Sequence, residues 1–227
     1  MNKEIVKRIE ANIAPIKVKF FKTEKGDYAE HDQFIGVNVP TLRVIAKEFA
    51  KLPLSEIQLL LESPINEYRL LALIILVNQY QKGDEKEKLN IFQFYLHNLN
   101  YVNNWNLVDT SAPSIIGHHL LNEDKELLME LAKSDVMWKR RIAMVTTQHF
   151  IRNNQFDWTI KLAEVLLNDK HDLIHKAVGW MLREVGERDL NVLKKFLEKH
   201  TQSMPRTMLR YAIEKFPQDE RKVYLQK

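Results

Sequence analysis

No cysteine occurs anywhere in the 227 residues. That excludes a disulfide framework, a thiolate metal site and a thiol nucleophile. Glycine is scarce, at six residues, and most of the seven prolines fall between periodic segments. Such a chain favours helices joined by short connections. Long apolar runs are missing as well. The longest, Leu70 to Val77, is far too short to span a bilayer. The start, Met1-Asn2-Lys3-Glu4, is polar and lacks the apolar stretch of a signal peptide. No phosphate-binding glycine loop, dinucleotide fingerprint or Gly-x-Ser-x-Gly elbow is present. A cytoplasmic location is the expectation these absences leave.

Charge is present but unevenly placed. Residues 1–104 hold 14 Lys/Arg against 13 Asp/Glu, residues 105–175 hold 8 against 10, and residues 176–227 hold 12 against 7. The basic excess is therefore C-terminal. Such a bias suits an anionic partner, although a solvated helical surface gives similar numbers.

Apolar residues recur at helical spacing along most of the chain. Ile5, Val6, Ile9, Ile13 and Ile16 mark a first helix, which Pro15 should bend or end. Phe20 to Val37 is polar and glycine-punctuated, and reads as a long loop. Its Tyr28 and Phe34 either touch a ligand or cap the core. Pro40 opens the next helix, Asn66 to Tyr80 is strongly apolar, and Glu85 to Leu99 is amphipathic. Further helices are expected over 123–133, 136–151, 157–167, 172–185, 189–199, 205–215 and 218–226. No run of alternating strand character stands out.

The helices also repeat. Arg69-Leu70-Leu71-Ala72, Arg140-Arg141-Ile142-Ala143, His175-Lys176-Ala177 and Arg210-Tyr211-Ala212 align as a basic residue shortly before a small one. Ala143 to Ala177 is 34 residues, Ala177 to Ala212 is 35, and Ala72 to Ala143 is 71, close to two such steps. A period near 35 filled by two helices specifies an α-solenoid of the HEAT, armadillo or TPR kind. We read residues 1–227 as one such domain. Equivalent positions in a solenoid share a face, so Arg141, Lys176 and Arg210 are expected to form a basic stripe on the concave side. The alternative, a convex placement, stays open on the repeat alone.

The skipped step falls on Asn104-Trp105-Asn106-Leu107-Val108-Asp109. Trp105 and Asp109 are i and i+4 on a helix and so project side by side. A core tryptophan beside a salt-bridged acid would look the same. Asn103 or Asn104 is a candidate N-cap, and Gly117 a candidate C-cap. Pro113 removes the hydrogen bond to the Asp109 carbonyl and should distort the helix there.

Four segments together resemble the AlkD-like DNA alkylation repair glycosylases, which are built from HEAT-like repeats. Phe34-Ile35-Gly36-Val37-Asn38-Val39-Pro40-Thr41-Leu42-Arg43 is similar to that family's F-x-G-V-x-x-P-x-x-R entry. Trp105 to Asp109 is similar to its W-D-x-V-D segment, Trp138 to Ala143 to its W-x-x-R-x-A segment, and Lys176 to Glu184 to its K-A-I-G-W-x-L-R-E segment. The likeness runs in register from about residue 20 to residue 215. It implies an all-α solenoid with a concave basic face that takes duplex DNA carrying alkylated purines. It implies that Trp105, Asp109, Arg141 and Trp180 line the DNA-facing cleft, with Asp109 catalytic and both tryptophans against the lesion deoxyribose. Arg141 would neutralise a phosphate, and Lys139, Arg140, Lys176, Arg183 and Arg210 are further expected backbone contacts. A monomer that needs neither cofactor nor metal is expected. One departure is Asn106, where the family often has Asp.

The chemistry agrees with that assignment. Loss of a cationic alkylpurine leaves an oxocarbenium-like sugar, which a carboxylate stabilises. The same carboxylate can orient or deprotonate water. A cationic leaving group needs no general acid, so one carboxylate suffices where ordinary glycosidases use two. Aromatic faces attract the positive charge. His118-His119 and the His171/His175 pair have no third metal ligand in view. Trp158 reads as a packing residue. Two other readings share the scaffold: a non-catalytic binder of DNA structure, and a HEAT-like protein-interaction scaffold.

Overall fold

The computed structural model describes residues 2–14 and 21–226, so the expected bend at Pro15 lies outside the described residues. Those residues form thirteen α-helices, and their only bridge of β type is an isolated one between Gln33 and Ile65. None of the helices is long and apolar enough to cross a membrane. The fold is all-α, as the periodicity predicts. It divides into two compact units, Met1–Ser111 and Ala112–Lys227.

The first unit holds α1 (Lys3–Glu10), α2 (Val39–Glu48), α3 (Leu54–Leu61), α4 (Asn66–Lys82), α5 (Glu85–His97) and nearly all of α6 (Trp105–Ala112). Its core is α4, which packs against α2, α3 and α5. Leu71, Ala72, Leu73, Ile75 and Leu76 of α4 have no solvent exposure. Each such leucine or isoleucine contributes about 1.5–3 kcal/mol through burial. Local sequence sets the ends. Asn38 accepts the Thr41 amide ahead of α2, and Asp84 and Glu87 form a reciprocal capping box on α5.

The polar first turn of α4 is buried too, and it anchors the loop before α2. Gln33 donates its amide to the Pro64 carbonyl and accepts from the Asn66 amide. The Glu67 carboxylate accepts the amides of Ile35 and Gly36. Gly36 has φ +90°, and a side chain there would run into the backbone carbonyl of Ala14. Only glycine fits that turn.

The second unit holds a π-helical turn (Pro113–Gly117), α7 (Glu126–Ala132), α8 (Met137–Arg152), α9 (Asp157–Val165), α10 (Asp172–Arg188), α11 (Leu190–His200), α12 (Arg206–Ala212) and α13 (Gln218–Leu225). Within it α8 packs on α10 and α10 on α12, while α7 packs on α8 and α9, and α9 and α11 pack on α10. This is a row of central helices with a second row beside it, the packing that a two-helix repeat near 35 residues requires. Gly179 lets α10 and α12 approach closely, since a Cβ there would lie 2.5 Å from the Met208 carbonyl oxygen.

Gly117 is not a C-cap. The chain stays helical through it, and a Cβ would lie 2.6 Å from the His149 Cβ. Its role is close packing of the π-helical turn against α8. Pro113 does distort the helix after Asp109, and the distortion takes the form of that wide turn rather than a break.

Candidate active site

α6 begins at Trp105 because Asn104 stands before it, accepting the Trp105 amide on its side-chain oxygen at 2.7 Å. Trp105 and Asp109 lie one turn apart on this helix, and both are part-exposed. Pro113 has no N–H, so the Asp109 carbonyl lacks its usual helical donor four residues on. A carboxylate therefore projects beside an indole, next to a locally widened stretch of backbone. Wide helical turns of this kind are frequent at functional sites.

Trp105 also has aromatic company from the early loop. The Phe21 ring stacks on it with centroids 5.4 Å apart and planes 12° apart. Phe34 in turn stacks on Phe21, with centroids 4.3 Å apart. All three rings are part-exposed. Sequence reasoning left Phe34 between a ligand contact and a cap on the core, and did not single out Phe21. The visible signal was an aromatic residue inside a polar, glycine-punctuated loop.

In the second unit the basic residues separate into two groups. Arg140 turns inward: Nε donates to Asp169 Oδ2 at 2.6 Å, and Nη1 donates to the carbonyls of Ser134 and Asp135. Arg141 is 5 % exposed, and its Nη1 donates to the Leu173 carbonyl in the first turn of α10 at 2.7 Å. Arg183 pairs with Glu214 and Glu184. These guanidiniums are engaged within the fold. Lys139 is part-exposed and Arg210 exposed. Lys176 is part-exposed and pairs with Asp172 at 2.8 Å. Burial raises the Asp172 pKa, but hydrogen bonds from Lys176 and Thr207 outweigh it and hold the carboxyl below its ordinary value.

Trp180 lies one turn after Lys176 on α10, part-exposed, with its indole N–H donating to Glu184 at 3.0 Å. Trp158 is part-exposed, and Lys161 packs over it with Nζ 4.0 Å from its ring centre. His171 caps α10 by accepting the Leu173 amide, and His175 hydrogen-bonds the Asp169 carbonyl at 2.5 Å. Both members of the candidate metal pair thus have protein partners. Among the described residues no group of three or more His, Asp or Glu side chains is placed to hold a metal ion.

A profile of the DNA alkylation repair enzymes matches residues 1–216. The chain belongs to that family. No curated protein matches it. Among solved structures, a predicted DNA alkylation repair enzyme from Enterococcus faecalis superimposes with a TM-score of 0.67 at 16% identity, covering 96% of this chain and 97% of that one. At that identity the likeness speaks for the fold. The all-helical repeat architecture is thereby reached from the sequence, the coordinates and an independent structure.

Asp32 is the buried residue that sequence reasoning missed. It sits in the same early loop and is tied to Arg69, Asn66 and Asn104, which lie 34 to 72 residues away. No local pattern marks an acid whose partners are that distant in sequence.

Proposed function

We propose that this member of the DNA alkylation repair family is a monofunctional glycosylase that hydrolyses the N-glycosidic bond of cationic N3- or N7-alkylated purines in duplex DNA. The observation that carries this reading is the pairing of Asp109 and Trp105 on one part-exposed face of α6, ahead of the proline-widened turn. In a family defined by alkylation repair, that pairing supplies what a cationic leaving group requires.

Departure of the alkylpurine moves positive charge onto the sugar. The Asp109 carboxylate stabilises that charge and orients the attacking water, which passes its proton to the carboxylate, and from there to solvent, as it adds to the anomeric carbon. The purine leaves neutral, so no acid has to protonate it. Trp105 presents a ring face or edge to the sugar, where cation–π attraction grows as charge develops. In the second unit, Trp180 is assigned a comparable role by resemblance. Phosphate contacts fall to Lys139, Lys176 and Arg210, whose side chains reach solvent. Arg140 and Arg141, tied to carbonyls and to Asp169, chiefly hold α8 in place.

The test is release of 3- or 7-methylated purine from alkylated duplex DNA, followed by chromatography of the free base. Release by the wild-type protein above the spontaneous rate supports the reading. Salt-dependent DNA binding without release, and with affinity indifferent to Asp109→Asn, would instead favour a non-catalytic binder.

A further inference from the structure

Asp32 lies between α1 and α2, and the proposed chemistry gives it no part. Its side chain is wholly buried, and three donors and the His31 ring converge on it. Arg69 reaches Oδ1, and His31 Nε2 lies 3.2 Å from the same oxygen. Asn66 donates to Oδ2 at 2.8 Å and Asn104 donates to Oδ2 at 2.6 Å.

A buried carboxylate needs compensation, and the Arg69 guanidinium supplies a positive charge. The two asparagines do something further. Asn104 immediately precedes Trp105, and its oxygen accepts the Trp105 amide. Asn106 immediately follows Trp105, and its amide donates to the Asn66 oxygen at 2.7 Å. Both neighbours of Trp105 are therefore tied to one carboxylate, Asn104 directly and Asn106 through Asn66.

We propose that Asp32 is a positioning residue: through Asn104 and Asn66 it fixes the first turn of α6, and so sets where Trp105 and Asp109 project. The proposal rests on the glycosylase reading for its kinetic consequence, but not for its structural one. The acid is needed because Oδ2 must accept two N–H groups at once. An amide at position 32 keeps the shape and still offers an oxygen to Arg69. It then turns an N–H toward the N–H groups of Asn104 and Asn66. Small displacements of a reacting group are costly in rate.

The test compares Asp32→Asn with the exchange variant Asp32→Asn/Asn104→Asp. The exchange restores the bond between positions 32 and 104 with donor and acceptor reversed and leaves an oxygen at position 104 for the Trp105 amide, and the Asn66 amide can turn over to accept from position 32. Two signals are read on the full chain. One is kcat and KM for release of 7-methylguanine from duplex DNA. The other is the 19F spectrum of protein labelled with 5-fluorotryptophan, in which the resonance of Trp105 is assigned with Trp105→Phe.

Asp32→Asn should lower kcat roughly ten- to a hundredfold, the scale on which such displacements act, and leave KM nearly unchanged. It should also shift or broaden the Trp105 resonance while that of Trp158 stays in place. The exchange variant should recover most of both changes. If Asp32→Asn does not fold, Asn104→Ala breaks the same bond from the other side and is read in the same way. An unchanged Trp105 resonance and kcat in either folded variant would overturn the proposal, as would an exchange variant no better than Asp32→Asn. If wild-type protein releases no base, the glycosylase reading fails. The resonances then decide on their own whether Asp32 positions Trp105.

Discussion

Arg69 and Arg140 stand 71 residues apart and make the same bond. Each donates through Nη1 to the carbonyl of the serine six positions earlier, Ser63 and Ser134, and each is matched by an aspartate whose side chain is largely covered, Asp32 and Asp169. The serines match as well, since each Oγ accepts the amide two residues on, at 3.1 Å in both cases. One repeat later the pattern returns with Asp169 in the serine position and His175 in the arginine position. At α4, α8 and α10 the recurring basic residue therefore holds the start of the helix against the connection before it, whereas Arg210 of α12 is exposed.

Arg140→Ala should for that reason cost stability rather than DNA affinity. It leaves the Asp169 carboxylate, whose side chain is 6% exposed, without its guanidinium. Loss of one partner of such a pair costs about 3 kcal/mol. The check is the midpoint of urea unfolding, with DNA affinity measured on the folded variant.

Arg210→Ala should behave in the opposite way. The side chain is exposed, so stability should stay within about 0.5 kcal/mol of wild type. Affinity for duplex DNA should fall at low salt, and the slope of log K against log salt should decrease by about one. Fluorescence anisotropy across a salt series measures both. An unchanged slope would remove Arg210 from the interface.

Much of this was legible in the sequence, and the reasons for the rest are physical. The 3.6-residue apolar period located α8 and α10, which bury one face, and a nearly unbroken apolar stretch located α4, whose residues 66–76 are all buried. Pro113 announced a distortion, since a missing N–H is a local fact. What the distortion becomes depends on the packing of the following turn against α8, which local sequence does not carry. Arg140 and Arg141 are adjacent and chemically identical, yet one reaches Asp169 and the other the Leu173 carbonyl. Those partners lie 29 and 32 residues on, so the sequence showed a basic cluster and not its internal engagement. Asp32 and Phe21 act through similarly distant partners.

Stability should decline as pH falls below about 6.5, with His171 contributing. Burial lowers the pKa of His171, and its ring accepts the Leu173 amide, which only the unprotonated nitrogen can do. The folded chain thus binds this proton less readily than the unfolded chain. The contribution is complete above the ordinary histidine pKa and is lost as pH drops toward the folded value. Burial lowers the His149 pKa too, with His118 and Arg152 adding to the effect, so it acts in the same direction. His171→Asn keeps a capping oxygen without titrating, and should flatten the fall in melting temperature between pH 7 and pH 5. It should leave only the share due to His149 and the other titrating groups.

Gly36→Ala should destabilise the first unit by more than about 1 kcal/mol, because the residue must take a positive φ that alanine resists and its methyl group meets the Ala14 carbonyl. Thermal unfolding tests the magnitude. Gly26→Ala is the control, since it shares a positive φ of +87° but has open space around the added carbon. A loss at Gly36 no larger than at Gly26 would mean that the contact with Ala14 is unimportant.

The central claim is that Asp109 stabilises a cationic sugar while a charged purine departs. It is tested most directly by single-turnover release of 7-methylguanine from a defined duplex, comparing wild type with Asp109→Asn. Asn keeps the shape and removes the charge. The expected result is release by wild type well above the spontaneous rate, a fall of roughly a hundredfold or more in Asp109→Asn, as for loss of one preorganised electrostatic group, and little change in DNA affinity. Equal rates for the two proteins, at any level of activity, would contradict it.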